Sequence, residues 1–313
     1  MKKNNLLFYF FAFFVLFQIK ANFRNNIIEE ASFKEASSIF IIQTDSIFKK
    51  KYNKIYNIYR EKNFIVALKQ ALNLLDEVKV KSNPENLFMI ISLVADIYDK
   101  TNKYSNSLDY YKSSLSILKQ TNILENSNLF SNPDYAKILL RIGSAFQKLE
   151  KKDSATYYYS KLEAIQSLNT DVLGFKAVSF NNLSGLYELD SLYGKAKEYA
   201  IKAINIHRKR NDKAGEATAL NNLANIYLSQ GNFEKAKELY IQGIELIENN
   251  NSANAIRFKG NLYYNLAWAM RSLKDYKAYD FQELSYEIED GIRNKEVRTM
   301  IEEVTAQYDV KGV

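Results

Sequence analysis

Residues 221–240, NNLANIYLSQGNFEKAKELY, are echoed 40 residues earlier at 181–200 as NNLSGLYELDSLYGKAKEYA, with eight of the twenty positions identical. A fixed-period echo constrains a chain more than any composition value. It calls for a unit that repeats in space and whose apolar stripe is covered by its neighbour. Within residues 221–240 and their flanks the spacing is helical. Leu220, Leu223, Ala224 and Tyr227 fall at i, i+3, i+4 and i+7, one stripe of an amphipathic helix. Gly231 stands where that helix ends, and Phe233, Ala236, Tyr240 and Gly243 set the stripe of a second.

The resulting pattern, apolar-x2-L-A-x2-Y-x3-G-x-F-x2-A-x3-Y-x2-G, resembles the tetratricopeptide repeat (TPR) signature, a helix-turn-helix unit. With Ala217 as position 1, the same phase fits units starting near 48, 88, 136, 177, 217 and 260. The intervals exceed the ~34 residues of an ordinary TPR, which lengthens each helix by roughly three residues. Units of this length resemble the 40–42-residue variety of kinesin light chains and many bacterial signalling proteins. Small residues at positions 8 and 20 (Gly143/Ala155, Ser184/Ala196, Ala224/Ala236) let two helices approach, and aromatics at 11, 17 and 24 fill the space toward the next unit. The only two prolines, in SNPE and SNPD, each precede a unit start, behind an asparagine cap and ahead of an acid. The expected fold is all-α, a right-handed α-solenoid of about six TPR-like units with a C-terminal helix. Its solenoid spans 48–290, a lead-in or cap 22–47, and a capping helix and tail 291–313. Residues 120–134, where the longest interval gains its length, read as a surface loop.

The first residues carry a separate message. MKKNN is a short basic region, residues 6–17 form an apolar run of twelve, and QIKA follows. A helix of that run reaches about 18 Å, short of a ~30 Å hydrocarbon core. Residues 1–21 therefore read as a secretory signal peptide cut after Ala21, and the chain as exported, periplasmic or secreted, in a bacterium. The alternative is an uncleaved segment anchoring it at the inner membrane. No later apolar run is long enough to span a bilayer, so no transmembrane segment is expected in the mature chain. Of the net charge of +7, three charges belong to Lys2, Lys3 and Lys20, leaving +4 that alternates in sign along the rest. That is a solvated surface, not a nucleic-acid footprint. Without cysteine there is no disulfide and no thiolate metal site.

No catalytic constellation is legible, and no enzyme activity, cofactor or metal is expected. The single histidine, His207, reads as a solvated helix-end residue, and no G-x-G or G-K-[ST] loop offers a phosphate cradle. In the TPR family the first helix of each unit lines a concave groove, where positions 2, 5, 9, 12 and 13 commonly face a ligand. Positions 5 and 9, carried over, give Leu140 and Ser144, Asn181 and Gly185, Asn221 and Asn225, then Tyr264 and Trp268. None is basic, which argues against the carboxylate clamp of some relatives. The resemblance implies a non-enzymatic scaffold binding a protein or peptide ligand along Asn181, Asn221, Asn225, Tyr264 and Trp268. Amides can bracket a peptide backbone and aromatics supply contact area.

The stretch 273–309 is one long helical pattern with Val297, Met300, Ile301, Val304 and Tyr308 as its stripe. It resembles the segment that, in exported TPR sensors of Bacteroidetes-type bacteria, leads to a membrane helix and a histidine kinase or helix-turn-helix output domain. The alternative function is thus the sensory part of a signal-transduction system, with its output missing or separately encoded and a membrane signalling partner.

Overall fold

The computed structural model describes residues 45–79, 83–124 and 132–309. The signal-peptide reading of 1–21, the lead-in up to residue 44, residues 125–131 of the expected 120–134 loop and the tail 310–313 lie outside the described residues, as do the side chains of Val304 and Tyr308. The two ends of that expected loop are helical, 120–124 closing α4 and 133–134 opening α5 as bounded below. All regular structure among the described residues is helical. Helix α1 covers 45–60. It is followed by α2 (Phe64–Lys79), α3 (Pro84–Lys100), α4 (Tyr104–Leu124), α5 (Pro133–Lys148) and α6 (Lys152–Glu163). Then come α7 (Thr170–Leu189), α8 (Tyr193–Lys209), α9 (Lys213–Ser229), α10 (Phe233–Ile247), α11 (Ala253–Ser272) and α12 (Ala278–Asp309). Each of the six expected starts thus lies inside the first helix of a pair, three to seven residues past its beginning.

The helix boundaries have local causes. Asn83, Asn132 and Asn169 lie in extended backbone and accept hydrogen bonds from amides of the first turns of α3, α5 and α7. Pro84 and Pro133 fill first-turn positions where no amide donor is needed. The turn inside each helix pair is closed by one left-handed residue: Lys62, Asn102, Glu150, Ser191, Gly231 or Lys274. The next amide reaches back to the preceding helix, as in Leu192 N to Tyr187 O at 2.9 Å and Asn232 N to Tyr227 O at 2.9 Å. This is the Schellman closure, for which glycine is the least strained residue. Only one of the six turns has it.

The chain divides into two compact units, Met1–Thr101 and Asn102–Val313. In the first, α2 packs on α3 and the core is Ala71, Leu75, Ile90, Val94 and Ile97. Asp45 of α1 ties that helix to the start of α3 by accepting from Asn83 Nδ2 and Asn86 Nδ2, both at 2.8 Å.

In the second unit each helix from α4 to α12 packs on the next, and the first helices of successive pairs also meet: α5 on α7, α7 on α9, α9 on α11. This builds two layers, with α5, α7, α9 and α11 in one. The small residues sit where helices touch. Ala155, Ser184, Ala196, Ala224 and Ala236 are fully buried, and Ser184 Oγ donates to Ala196 O at 2.9 Å. Gly143 faces the ring of Tyr159, so closely that a Cβ would lie 2.5 Å from Cε1. Helix α12 lies along α11 through Ile288, which covers Gly260, and the Arg257–Glu296 ion pair at 2.6 Å. Past that pair Val297, Met300 and Ile301 are exposed.

Candidate functional site

Amides and tyrosines stitch the layer of first helices together. Position 24 is tyrosine in three of the pairs, Tyr111, Tyr159 and Tyr240, all buried. Tyr159 OH donates to Gln147 Oε1 at 2.8 Å, lies 3.3 Å from Ser144 Oγ and accepts from Asn182 Nδ2 at 2.9 Å. Burial of this phenol pushes its pKa up to about 12, against the opposing pull of the bonds to Ser144 and Asn182. Tyr240 OH donates to Asn225 Oδ1 at 2.6 Å. Its pKa is raised by burial and, secondarily, by the negative charge of Glu188. Asn222 Nδ2 donates to Asn181 O at 3.1 Å, and Asn265 Nδ2 to Asn221 Oδ1 at 3.0 Å. Both bonds cross from one pair to the next, so position 6 holds the stack together.

The five residues singled out from sequence fall into three environments. Tyr264 and Trp268 are about half exposed, at 52% and 49%, with Arg271 stacked 5.4 Å from the indole. Asn221 and Asn225 are half-buried. The oxygen of each is held, by Asn265 and by Tyr240, and each amide nitrogen remains without a partner among the described residues. Asn181 is buried: its Nδ2 lies 3.4 Å from His207 Nε2, and its Oδ1 has no partner among the described residues.

His207 is in the last turn of α8, as expected, but it is buried and not solvated. The reason is its neighbour α9. Asp212, the cap of that helix, accepts from Gly215 N at 2.9 Å and lies 2.9 Å from His207 Nδ1, while Gly215 leaves room for the ring. Burial lowers the His207 pKa, against the opposing pull of Asp212. The neutral ring with its proton on Nδ1 satisfies both contacts: it donates to Asp212 and accepts from Asn181.

The pair α7/α8 departs from its neighbours at one point. Where the pairs on either side have tyrosine at position 24, it has Ala200, and at position 9, where they have Ser144 and Asn225, it has Gly185. A Cβ added at Gly185 would meet nothing within 4 Å. One turn further along α7 is Glu188, whose carboxylate accepts from Ser229 Oγ of α9 at 2.9 Å. Burial raises its pKa, and the Ser229 bond offsets that only in part. Asp190, two residues on, has a cationic partner in Lys152. Glu188 has none among the described residues. Sequence reasoning missed it because only positions 5 and 9 were carried over; it stands at position 12, also a ligand-facing place in the family.

Among the described residues no cluster of His, Asp or Glu is placed to hold a metal ion, and no helix is long and apolar enough to cross a membrane. Residues 175–249 match the tetratricopeptide repeat family. A comparison with curated proteins found no match. Several solved structures share the fold. BtubC (BKLC) from P. vanneervenii is 16% identical over 79% of this chain and 92% of its own, with a TM-score of 0.57. The Rap protein complexed with competence and sporulation factor is 17% identical over 78% and 75%, with a TM-score of 0.54. NprR in complex with its cognate peptide NprX is 14% identical over 77% and 66%, with a TM-score of 0.55. At these identities the likeness is one of fold. The chain is an all-helical protein with TPR-like helix pairs.

Proposed function

We propose that this chain is an exported, non-enzymatic scaffold that binds an extended segment of another protein, or a peptide, across α7, α9 and α11. One observation carries the reading. Asn221 and Asn225 have their oxygens fixed from within the fold and their amide nitrogens free, one turn apart on α9, beside the half-exposed Tyr264 and Trp268. Oriented donors suit backbone carbonyls spaced along an extended chain, and the aromatics add rigid contact area. NprR and the Rap protein, similar in fold, were solved with NprX and with competence and sporulation factor. A random heptapeptide library selected on the full chain tests the reading. Selected peptides should lose most of their affinity for Trp268→Ala, with melting unchanged, and for Asn221→Ala/Asn225→Ala, which should melt lower but stay folded because Asn265 and Tyr240 lose their acceptors. Equal binding by these variants would place the ligand elsewhere. Export is read from residues 1–21, and sequencing the N-terminus of the cell-fractionated protein should give a start near Asn22. Full-length chain in the cytosol would refute it.

A second reading, the sensory part of a signalling system with a membrane partner, draws on the exposed Val297, Met300 and Ile301. The chain has no cysteine, so Met300→Cys gives a unique cross-linking site. Cross-linking to a membrane protein in intact cells favours this reading, and its absence favours the first.

A further inference from the structure

We infer that the segment bound on this face is basic, and that a lysine or arginine side chain of the ligand seats its cation on Glu188. The inference rests on the peptide-binding reading and adds the chemistry of the ligand. Three observations converge on one stretch of α7. Gly185 faces open space at the position where its neighbours carry Ser144 and Asn225, so the layer has room for a ligand side chain there. Glu188, one turn along, is a partly desolvated carboxylate satisfied only by the neutral hydroxyl of Ser229. Asn181, one turn before Gly185, holds a buried Oδ1 with no donor. Among the described residues, the stretch thus holds an acceptor without a donor and a carboxylate without an ion pair, while Lys195 and Lys197 of α8 lie over the rings of Tyr187 and Tyr227 instead. A desolvated carboxylate without a cation is costly, and a charge-assisted bond from an ammonium or guanidinium is the contact that offsets it. Leu189, 81% exposed, gives the apolar stem of such a side chain a surface to lie on. An acidic segment would meet Glu188 with like charge and be rejected.

The test uses the full chain and a phage-displayed random heptapeptide library, followed by fluorescence anisotropy with the selected peptides made synthetically. Each peptide is also made with norleucine replacing its lysine, or citrulline its arginine. Lysine and arginine should be enriched over aspartate and glutamate among selected peptides. Glu188→Gln should weaken the basic peptides tenfold or more, yet bind the norleucine and citrulline versions as wild type does. Glu188→Lys should prefer versions carrying glutamate. Gly185→Phe, which fills the open space, should abolish binding of every version while the melting temperature stays within a few degrees. If Gly185→Phe blocks binding but Glu188→Gln changes nothing, the face is right and its charge preference is refuted. If neither variant matters, or no peptide is selected, the peptide-binding reading fails and takes the preference with it.

Discussion

Two glycines in equivalent helices, Gly143 in α5 and Gly185 in α7, separate packing from binding. Both occupy helix interiors, where alanine is intrinsically favoured by about 1 kcal/mol. At Gly143 a Cβ would strike the Tyr159 ring and push its hydroxyl off Gln147 and Asn182. Gly143→Ala should therefore destabilise by about 1–3 kcal/mol despite its propensity gain. At Gly185 there is nothing to strike, so Gly185→Ala should stabilise by about 0.5–1 kcal/mol. Chemical denaturation of both variants checks the contrast; shifts of the same sign would contradict the packing described. His207 supplies a second residue-scale prediction. Its folded-state pKa lies below its ordinary value of 6.5 because the ring is buried; Asp212 and Glu216 pull upward and Arg210 adds to the lowering. The unfolded chain thus takes up the proton first. Stability from the neutral ring is complete above about pH 6.5 and is lost as pH falls below it toward the folded-state value. His207→Gln should flatten that acid limb in melting curves between about pH 7 and 5. An unchanged slope would exclude His207 as its source.

At the scale of elements, the helix pairs were legible because three independent signals coincide: the apolar spacing, the asparagine–proline starts and the small residues at positions 8 and 20. The turns were legible in only one case. Gly231 announces its left-handed conformation, whereas Lys62, Glu150, Ser191 and Lys274 adopt it against their own preference because the flanking helices are already fixed by packing. Ser191→Gly should accordingly stabilise by up to about 1 kcal/mol, measured by thermal melting. A loss would mean that the Ser191 side chain has a role in the turn beyond its backbone. The burial of His207 was not legible, since it depends on Asp212 and Gly215 of the next helix. Nor was Glu188, whose desolvation comes from the approach of α9. The far end of α12 was legible but not its start: residues 273–277 form the turn after α11 around the left-handed Lys274. The helix then runs unbroken from Ala278 across the expected boundary at 290–291, and its uneven support is a finding of the structure. Residues 278–296 lie on α11, while Val297, Met300 and Ile301 are exposed. Amides of 297–309 should exchange with solvent faster than those of 280–292, and uniform protection along α12 would reveal a cover for that stripe.

At the scale of the whole molecule, the central claim is that the face built by α7, α9 and α11 is where a partner segment lies. The only tryptophan reports on it directly, because Trp268 is half exposed. A segment crossing Asn221 and Asn225 beside Tyr264 removes water from the indole. Titrating the full chain with a selected heptapeptide should therefore shift Trp268 emission to the blue with the same midpoint as binding read by anisotropy, and Gly185→Phe should show neither change. Saturable binding that leaves the emission where it was would contradict the account and move the binding surface away from this face.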